Sequence, residues 1–153
     1  MGTGLRPIRG DWTYRQFTTL STATFQKYAP LSHSSGELNS LKEYVAGANE
    51  KIVGIAMSGS TESFPSGKIL VALPGFHSSF VAKVQTGVAA SALSQGACYD
   101  LEKATNNFRI DTDSTSSMVC MITGEIDSAT SEIEAEFIHL MTAVGSNLSV
   151  VNA

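Results

Sequence analysis

The apolar residues of this chain come in short runs that are separated by residues favouring turns. Residues 52–57 and 68–73 are rich in β-branched and other apolar side chains, and clusters of Gly, Ser and Pro separate the two runs. Runs of about six such residues are typical of strands that are buried on both faces. A further run covers residues 118–122. Because charged residues make up only 16% of the chain and Ser and Thr are abundant, the composition also favours strands and turns over helices.

Two segments alternate strictly between apolar and charged side chains, residues 99–102 and residues 108–111. This alternation predicts two strands that each have one buried and one solvent-exposed face. Thr105, Asn106 and Asn107 lie between the segments and favour a hairpin turn. Residues 88–95 instead favour one or two helical turns, because Gly96 is placed to end them.

Residues 133–141 fit two patterns. Ile133, Ala135 and Phe137 alternate with glutamates, as in a strand, but a helical spacing with a Ser131–Glu134 capping box also fits. We prefer the strand, because residues 127–130 resemble a hairpin turn that joins it to the preceding run. Eight or so short strands at regular spacing predict an all-β fold, mainly β with one or two short helical turns, as a small β-barrel or sandwich. We expect one domain over residues 17–153.

Residues 1–16 differ from the rest of the chain. Pro7 fixes an extended local path, and glycines interrupt any regular pattern, so we predict an extended N-terminal arm. Such an arm gains order by adding a strand to a partner's sheet edge and placing an apolar side chain in a pocket. Trp12 is the natural anchor and Ile8 the second; alternatively, Trp12 covers one end of the β domain. The residues predicted to contact a partner or a neighbouring protomer are Arg6, Pro7, Ile8, Arg9, Trp12 and Arg15.

Charge is divided along the chain, whose net charge is −4. Residues 1–16 are basic, whereas residues 100–136 carry nine acids against Lys103 and Arg109. We therefore expect the arginines of the arm to pair with acidic groups on a partner or on a neighbouring copy. The chain lacks the basic patch of a nucleic-acid-binding protein, and its longest apolar run, residues 69–73, is far too short to span a bilayer. Neither nucleic acid nor a membrane is an expected partner.

Residues for catalysis or metal binding are sparse. His77 beside Ser78 is the one cluster that suggests a hydrolase, and neighbouring loop residues point in different directions. Cys98 and Cys120 lie in apparent strands without Cys-x-x-Cys spacing, so neither a zinc site nor a structural disulfide is expected. We predict a protein with no enzymatic activity, no cofactor and no metal site.

Several short motifs follow one another in a recognisable order. They are YAPL at residues 28–31, SGEL at 35–38, KIVGIA at 51–56, GKILV at 67–71 and SALSQGACYDL at 91–101. In this order, over residues 25–140, the chain resembles the head decoration (cement) proteins of tailed bacteriophages. The resemblance implies a small β-barrel or "β-tulip" module that binds the major capsid protein on the outside of the shell, as a homotrimer at threefold sites. It also implies assembly in the host cytoplasm, location on the virion exterior, and an N-terminal arm that reaches the shell or a neighbouring protomer.

Two other functions remain open at this point. A viral or cell-surface β domain for adhesion or carbohydrate binding would use exposed aromatic side chains such as Tyr28, Phe76 and Phe80. A hydrolase would be built on His77 and Ser78 and would lose its activity in the variant His77→Ala.

Overall fold

The computed structural model describes residues 4–19, 23–33, 40–47, 50–61, 68–105, 107–113, 118–127, 131–141 and 150–151. These residues form thirteen strands and one 3-10 turn at Ala90–Ala92. The strands are β1 (Arg6–Arg9), β2 (Thr13–Thr18), β3 (Pro30–His33), β4 (Leu41–Glu43), β5 (Ile52–Ala56), β6 (Lys68–Leu73), β7 (Ser79–Lys83), β8 (Cys98–Ala104), β9 (Asn107–Asp111), β10 (Cys120–Asp127), β11 (Glu132–Phe137), β12 (Leu140–Met141) and β13 (Val150–Val151).

The strands form two sheets. The first sheet has the order β1-β7-β11-β10-β8-β9, and all its pairs are antiparallel. The second contains β2-β6-β5-β3-β4, also antiparallel, and the short β12 joins β5 in parallel and carries β13 on its other side. Two isolated bridges connect further strands. Thr19, just after β2, pairs with Leu41 of β4, and Val84, just after β7, pairs with Ile110 of β9. The described residues are mostly in strands, so the all-β class is confirmed. Neither sheet closes into a barrel, so of the two expected architectures, barrel or sandwich, the barrel is not formed.

One hydrophobic core is shared by the two sheets. All five residues of β5 are buried, as the continuous apolar run predicted. Fully buried side chains from both sheets meet in this core, including Leu31, Ile55, Val71, Phe80, Leu101 and Ile122. Burial of each such side chain stabilises the fold by about 1.5–3 kcal/mol relative to its exposure.

Three local predictions are confirmed. The expected helical turn appears as the 3-10 turn, within residues 88–95. The segment that fitted both patterns is the strand β11. The hairpin joins β8 to β9, and Thr105 in its turn adopts a φ of +60°. No helix in the described ranges is long and apolar enough to cross a membrane.

The N-terminal segment differs from the loose arm that the sequence predicted. Residues 4–19 lie against the body, where β1 pairs with β7 and β2 pairs with β6. Leu5 is fully buried, and its N–H donates to the carbonyl of Tyr28 at 2.9 Å. The expected boundary between residues 16 and 17 falls inside β2. The segment is ordered without a partner because each of its two strands finds a free edge on the body, one on each sheet.

Candidate interaction surface

A β-bulge in β1 brings two arginines to one face of the first sheet. Arg6 lies opposite Val81 and Arg9 lies opposite Ser79, so β1 holds one extra residue over this interval, at Ile8. In a regular strand, residues three apart point to opposite faces. Because of the extra residue, the side chains of Arg6 and Arg9 both point away from the core.

Both arginines pair with acids of the same chain. Arg6 contacts Glu132 at 2.6 Å, and Arg9 contacts Glu134 at 2.9 Å, across the intervening strand β7. Glu134 is buried, with 9% of its side chain exposed, and it also accepts a hydrogen bond from the hydroxyl of Ser79. In the single chain, Arg6 and Arg9 therefore pair with the acidic stretch of their own sequence, and their expected pairing with a partner stays a prediction.

The turn between β1 and β2 packs on the loop between β6 and β7. The N–H of Asp11 donates to the carbonyl of Phe76, and the indole Nε1 of Trp12 donates to the carbonyl of Ser79, both at 3.2 Å. The approach is closest at Gly10, whose φ is +87°, and where a Cβ would lie 2.2 Å from the carbonyl oxygen of His77. Only glycine fits this position. We call residues 8–12 and 74–78 together the N-terminal tip.

The tip displays apolar side chains on an ordered backbone. Phe76 is 75% exposed and Ile8 is 44% exposed. The loop that carries Phe76 is closed by a hydrogen bond from the N–H of Gly75 to the hydroxyl of Ser78 at 2.7 Å. Trp12, by contrast, is half-buried and packs against the core. Of the two roles considered for Trp12, the structure therefore favours covering the β domain. Among the residues predicted to contact a partner, Ile8 is the exposed apolar side chain.

The remaining predicted contact residues lie on the two strands. Pro7 is half-buried in β1, opposite Phe80. Arg15 is exposed on β2, opposite Val71, and makes no ion pair with another residue in the described part of the chain. Ile8 and Arg9 thus belong to the tip and Arg6 lies next to it in β1, whereas Arg15 lies further along the chain, in β2.

A buried carboxylate joins the two sheets, and sequence reasoning missed it. Asp100 was expected on a wet face but is 1% exposed. It accepts hydrogen bonds from the hydroxyl of Tyr44 at 2.6 Å and from the N–H groups of Leu101 and Gly47 at 2.7 and 3.1 Å. Burial, together with the hydrogen bond to Asp100, raises the pKa of Tyr44 far above its usual range. The network fixes the loop after β4 to β8.

A second polar network lies beside β3 and β4. Glu50 accepts hydrogen bonds from the hydroxyl of Ser32 at 2.9 Å, the N–H of Val45 at 3.0 Å and the ammonium of Lys42. Partial burial acts to raise the pKa of Glu50, but these donors, Lys42 foremost, outweigh it and leave the pKa below its ordinary value of 4.5. The carboxylate is held in its charged form.

The residues considered for a hydrolase or for carbohydrate binding differ in their burial. Ser78 is buried, and its hydroxyl accepts the hydrogen bond from Gly75 that closes the tip loop. Of the aromatic residues considered for carbohydrate binding, Phe80 is fully buried in the core, Tyr28 is half-buried and Phe76 is exposed. Cys98 and Cys120 are both free thiols. Within the described ranges, no three His, Cys, Asp or Glu side chains are grouped to hold a metal ion.

No protein-family model, curated protein or solved structure matches this chain. A functional interpretation therefore depends on the sequence motifs and on the surface that the tip and β2 present. The sequence analysis missed strand β2. Its residues 13–18, TYRQFT, are rich in strand-forming residues, and this could have indicated a strand that begins inside the predicted arm.

Proposed function

We propose that this chain is a non-enzymatic decoration (cement) protein that binds the major capsid protein on the outer surface of a tailed-phage head. It stabilises the shell as a homotrimer at threefold sites. The proposal is supported by the order of sequence motifs over residues 25–140 and by the N-terminal tip. The observation that carries it is the exposure of Phe76 and Ile8 on the hydrogen-bonded backbone of the tip.

The chemistry of the tip suits a protein surface. An exposed phenylalanine and an exposed aliphatic side chain on the same tip can each serve as an apolar anchor for a pocket on a partner. Because the tip backbone is already fixed by the bonds to Asp11, Trp12 and Gly75, little conformational entropy is lost when it binds. A trimer engages three such tips at once, so weak single contacts add up to strong attachment.

The buried polar groups support a structural role. Asp100 and Glu134 are each satisfied by hydrogen bonds or ion pairs from distant parts of the chain. Carboxylates committed in this way hold strands and loops in place. The exposed side chains of the tip include the apolar Ile8 and Phe76, and those of β2 include several hydroxyl groups.

The test measures binding to heads that lack the protein. Deleting residues 1–16 is unsuitable, because it removes the buried Leu5, all of β1 and four of the six residues of β2. The variant Ile8→Asp/Phe76→Asp instead places charge on exposed positions, and Val45→Asp, at a position 52% exposed outside the tip, is the matched control.

We expect the double variant to bind heads at least about tenfold more weakly in co-sedimentation, with an unchanged melting temperature and normal binding by the control. Full binding by the folded double variant would contradict the proposal, and so would an equal loss in Val45→Asp.

A further inference from the structure

The loop that carries Phe76 contains a tight turn with an unusual residue at its third position. The N–H of Ser78 donates to the carbonyl of Gly75 at 3.4 Å, which closes a four-residue turn over residues 75–78. Of the two central residues, Phe76 and His77, His77 has the positive φ, +55°. A turn with a positive φ at its third residue favours glycine or asparagine there. Histidine therefore occupies a position at which the backbone by itself favours glycine.

The backbone of this turn is held by the N-terminal segment. The N–H of Asp11 donates to the carbonyl of Phe76 at 3.2 Å, and Gly10 packs against the carbonyl of His77. These contacts involve the main chain of the turn, so they would hold a glycine in place of His77 equally well. Backbone strain at a non-glycine residue is concentrated at functional sites. The side chain of His77 is the feature that distinguishes this turn from one built with glycine.

The imidazole of His77 packs on the ring of Phe76. The two ring centroids are 3.9 Å apart, and the ring planes are inclined by 54°. Both side chains are exposed, so the contact lies on the surface of the tip and not in the core. An aromatic contact of this kind restricts the rotation of each ring.

We propose that His77 is a positioning residue, whose ring holds the ring of Phe76 in its exposed orientation before the tip meets a partner. The inference rests on the proposed function, in which Phe76 is an anchor for an apolar pocket of the major capsid protein. An exposed side chain that rotates freely loses rotamer freedom when it binds, and this loss lowers the affinity. A ring that is already held avoids most of that loss.

The variant His77→Gly separates this role from the folding of the turn. Glycine suits the positive φ and keeps the main-chain contacts, but it has no ring to hold Phe76. Thr105→Gly is the matched control, because Thr105 is also exposed in a tight turn, has a φ of +60° and lies outside the tip. Both variants should melt close to the wild-type temperature, since relief of the positive φ offsets the greater freedom of glycine in the unfolded chain.

Three-bond couplings between Cγ of Phe76 and its backbone nitrogen and carbonyl carbon report the χ1 rotamer in the free protein. We expect the couplings of a single rotamer in the wild type and in Thr105→Gly, and averaged couplings in His77→Gly. His77→Tyr keeps a ring and should restore the single rotamer; Tyr28 has a φ of +73°, so tyrosine tolerates such a backbone in this protein. Averaged couplings in the wild type, or a single rotamer in His77→Gly, would overturn the proposal.

Co-sedimentation with heads that lack the protein tests the consequence for binding. We expect His77→Gly to bind about three- to tenfold more weakly than the wild type, and Thr105→Gly and His77→Tyr to bind as the wild type does. Equal binding by the wild type and His77→Gly would overturn the proposal and leave the proposed function standing. Absence of binding by the wild type would contradict the proposed function instead, and the couplings of Phe76 would still decide whether His77 holds the ring.

Discussion

The guanidinium of Arg9 lies 2.9 Å from the carboxylate of Glu134, which joins the N-terminal strand to β11 across β7. Half of the Arg9 side chain is exposed, but the carboxylate of Glu134 is buried and otherwise bonded to the hydroxyl of Ser79. Loss of this ion pair would therefore lower stability mainly through Glu134, because a buried carboxylate that loses a partner is costly, whereas the exposed Arg9 can be solvated.

We expect Arg9→Ala to lower the free energy of unfolding by about 1–3 kcal/mol, measured by urea denaturation. Arg6→Ala should cost under about 1 kcal/mol, because both members of its pair with Glu132 are partly exposed. Adding Glu134→Gln to Arg9→Ala should restore part of the loss, since the amide carries no charge. Equal effects of Arg9→Ala and Arg6→Ala would show that the burial of Glu134 does not set the cost.

The pairing of Arg9 with Glu134 could not be predicted from the sequence. The basic start of the chain and its acidic stretch were visible in the sequence, but their pairing within one molecule depends on the bulge at Ile8. A bulge is set by the register of β1 against β7, and no local pattern in four residues specifies it. The continuous apolar runs were sufficient to predict β5 and β6, because burial on both faces leaves a purely local signature.

Tyr44→Phe tests the link between the sheets. The variant removes one donor from the buried carboxylate of Asp100 and leaves the N–H groups of Leu101 and Gly47. We expect a loss of about 1–3 kcal/mol in the free energy of unfolding. Tyr99→Phe is the control, because the Tyr99 hydroxyl has no hydrogen-bond partner in the described ranges, and it should change stability by less than about 0.5 kcal/mol. Similar values for the two variants would contradict a structural role for the Tyr44 hydroxyl.

Asp100 also explains why alternation misled the sequence analysis. Its position between Tyr99 and Leu101 predicts a solvent-exposed face, and for most charged residues in such a pattern that inference holds. The loop after β4, which lies far away in the sequence, covers this face and supplies the donors from Tyr44 and Gly47. A buried carboxylate of this kind is recognisable only when the covering segment is known.

The lowered pKa of Glu50 predicts a dependence of stability on pH. The folded state favours the charged carboxylate, so its contribution is fully present above the ordinary pKa of 4.5 and is lost as the pH falls through the lower folded pKa. Between pH 6 and about pH 3, the wild type should therefore lose more stability than Glu50→Gln. Denaturation curves at several pH values measure the difference, and parallel losses in the two proteins would contradict it.

The two cysteines should differ in reactivity. Cys120 is fully buried, and burial followed by the charge of Asp100 raises the pKa of its thiol far above the usual range. Cys98 is half-buried, and because it lies opposite Met121 while Cys120 lies opposite Tyr99, the two thiols are on opposite faces of the sheet.

A maleimide should therefore label Cys98 in the native protein and reach Cys120 only after unfolding, as mass spectrometry would show. Labelling of Cys98→Ser should be negligible without denaturant. Rapid labelling of Cys120 in the folded Cys98→Ser variant would contradict the burial of this thiol.

Electron cryo-microscopy of heads incubated with the purified protein tests the proposed attachment most directly. We predict density for this chain at the threefold positions of the outer shell, with the N-terminal tip, residues 8–12 and 74–78, against the major capsid protein. Heads that bind no protein at these positions, or that bind it with the tip facing solvent, would contradict the account.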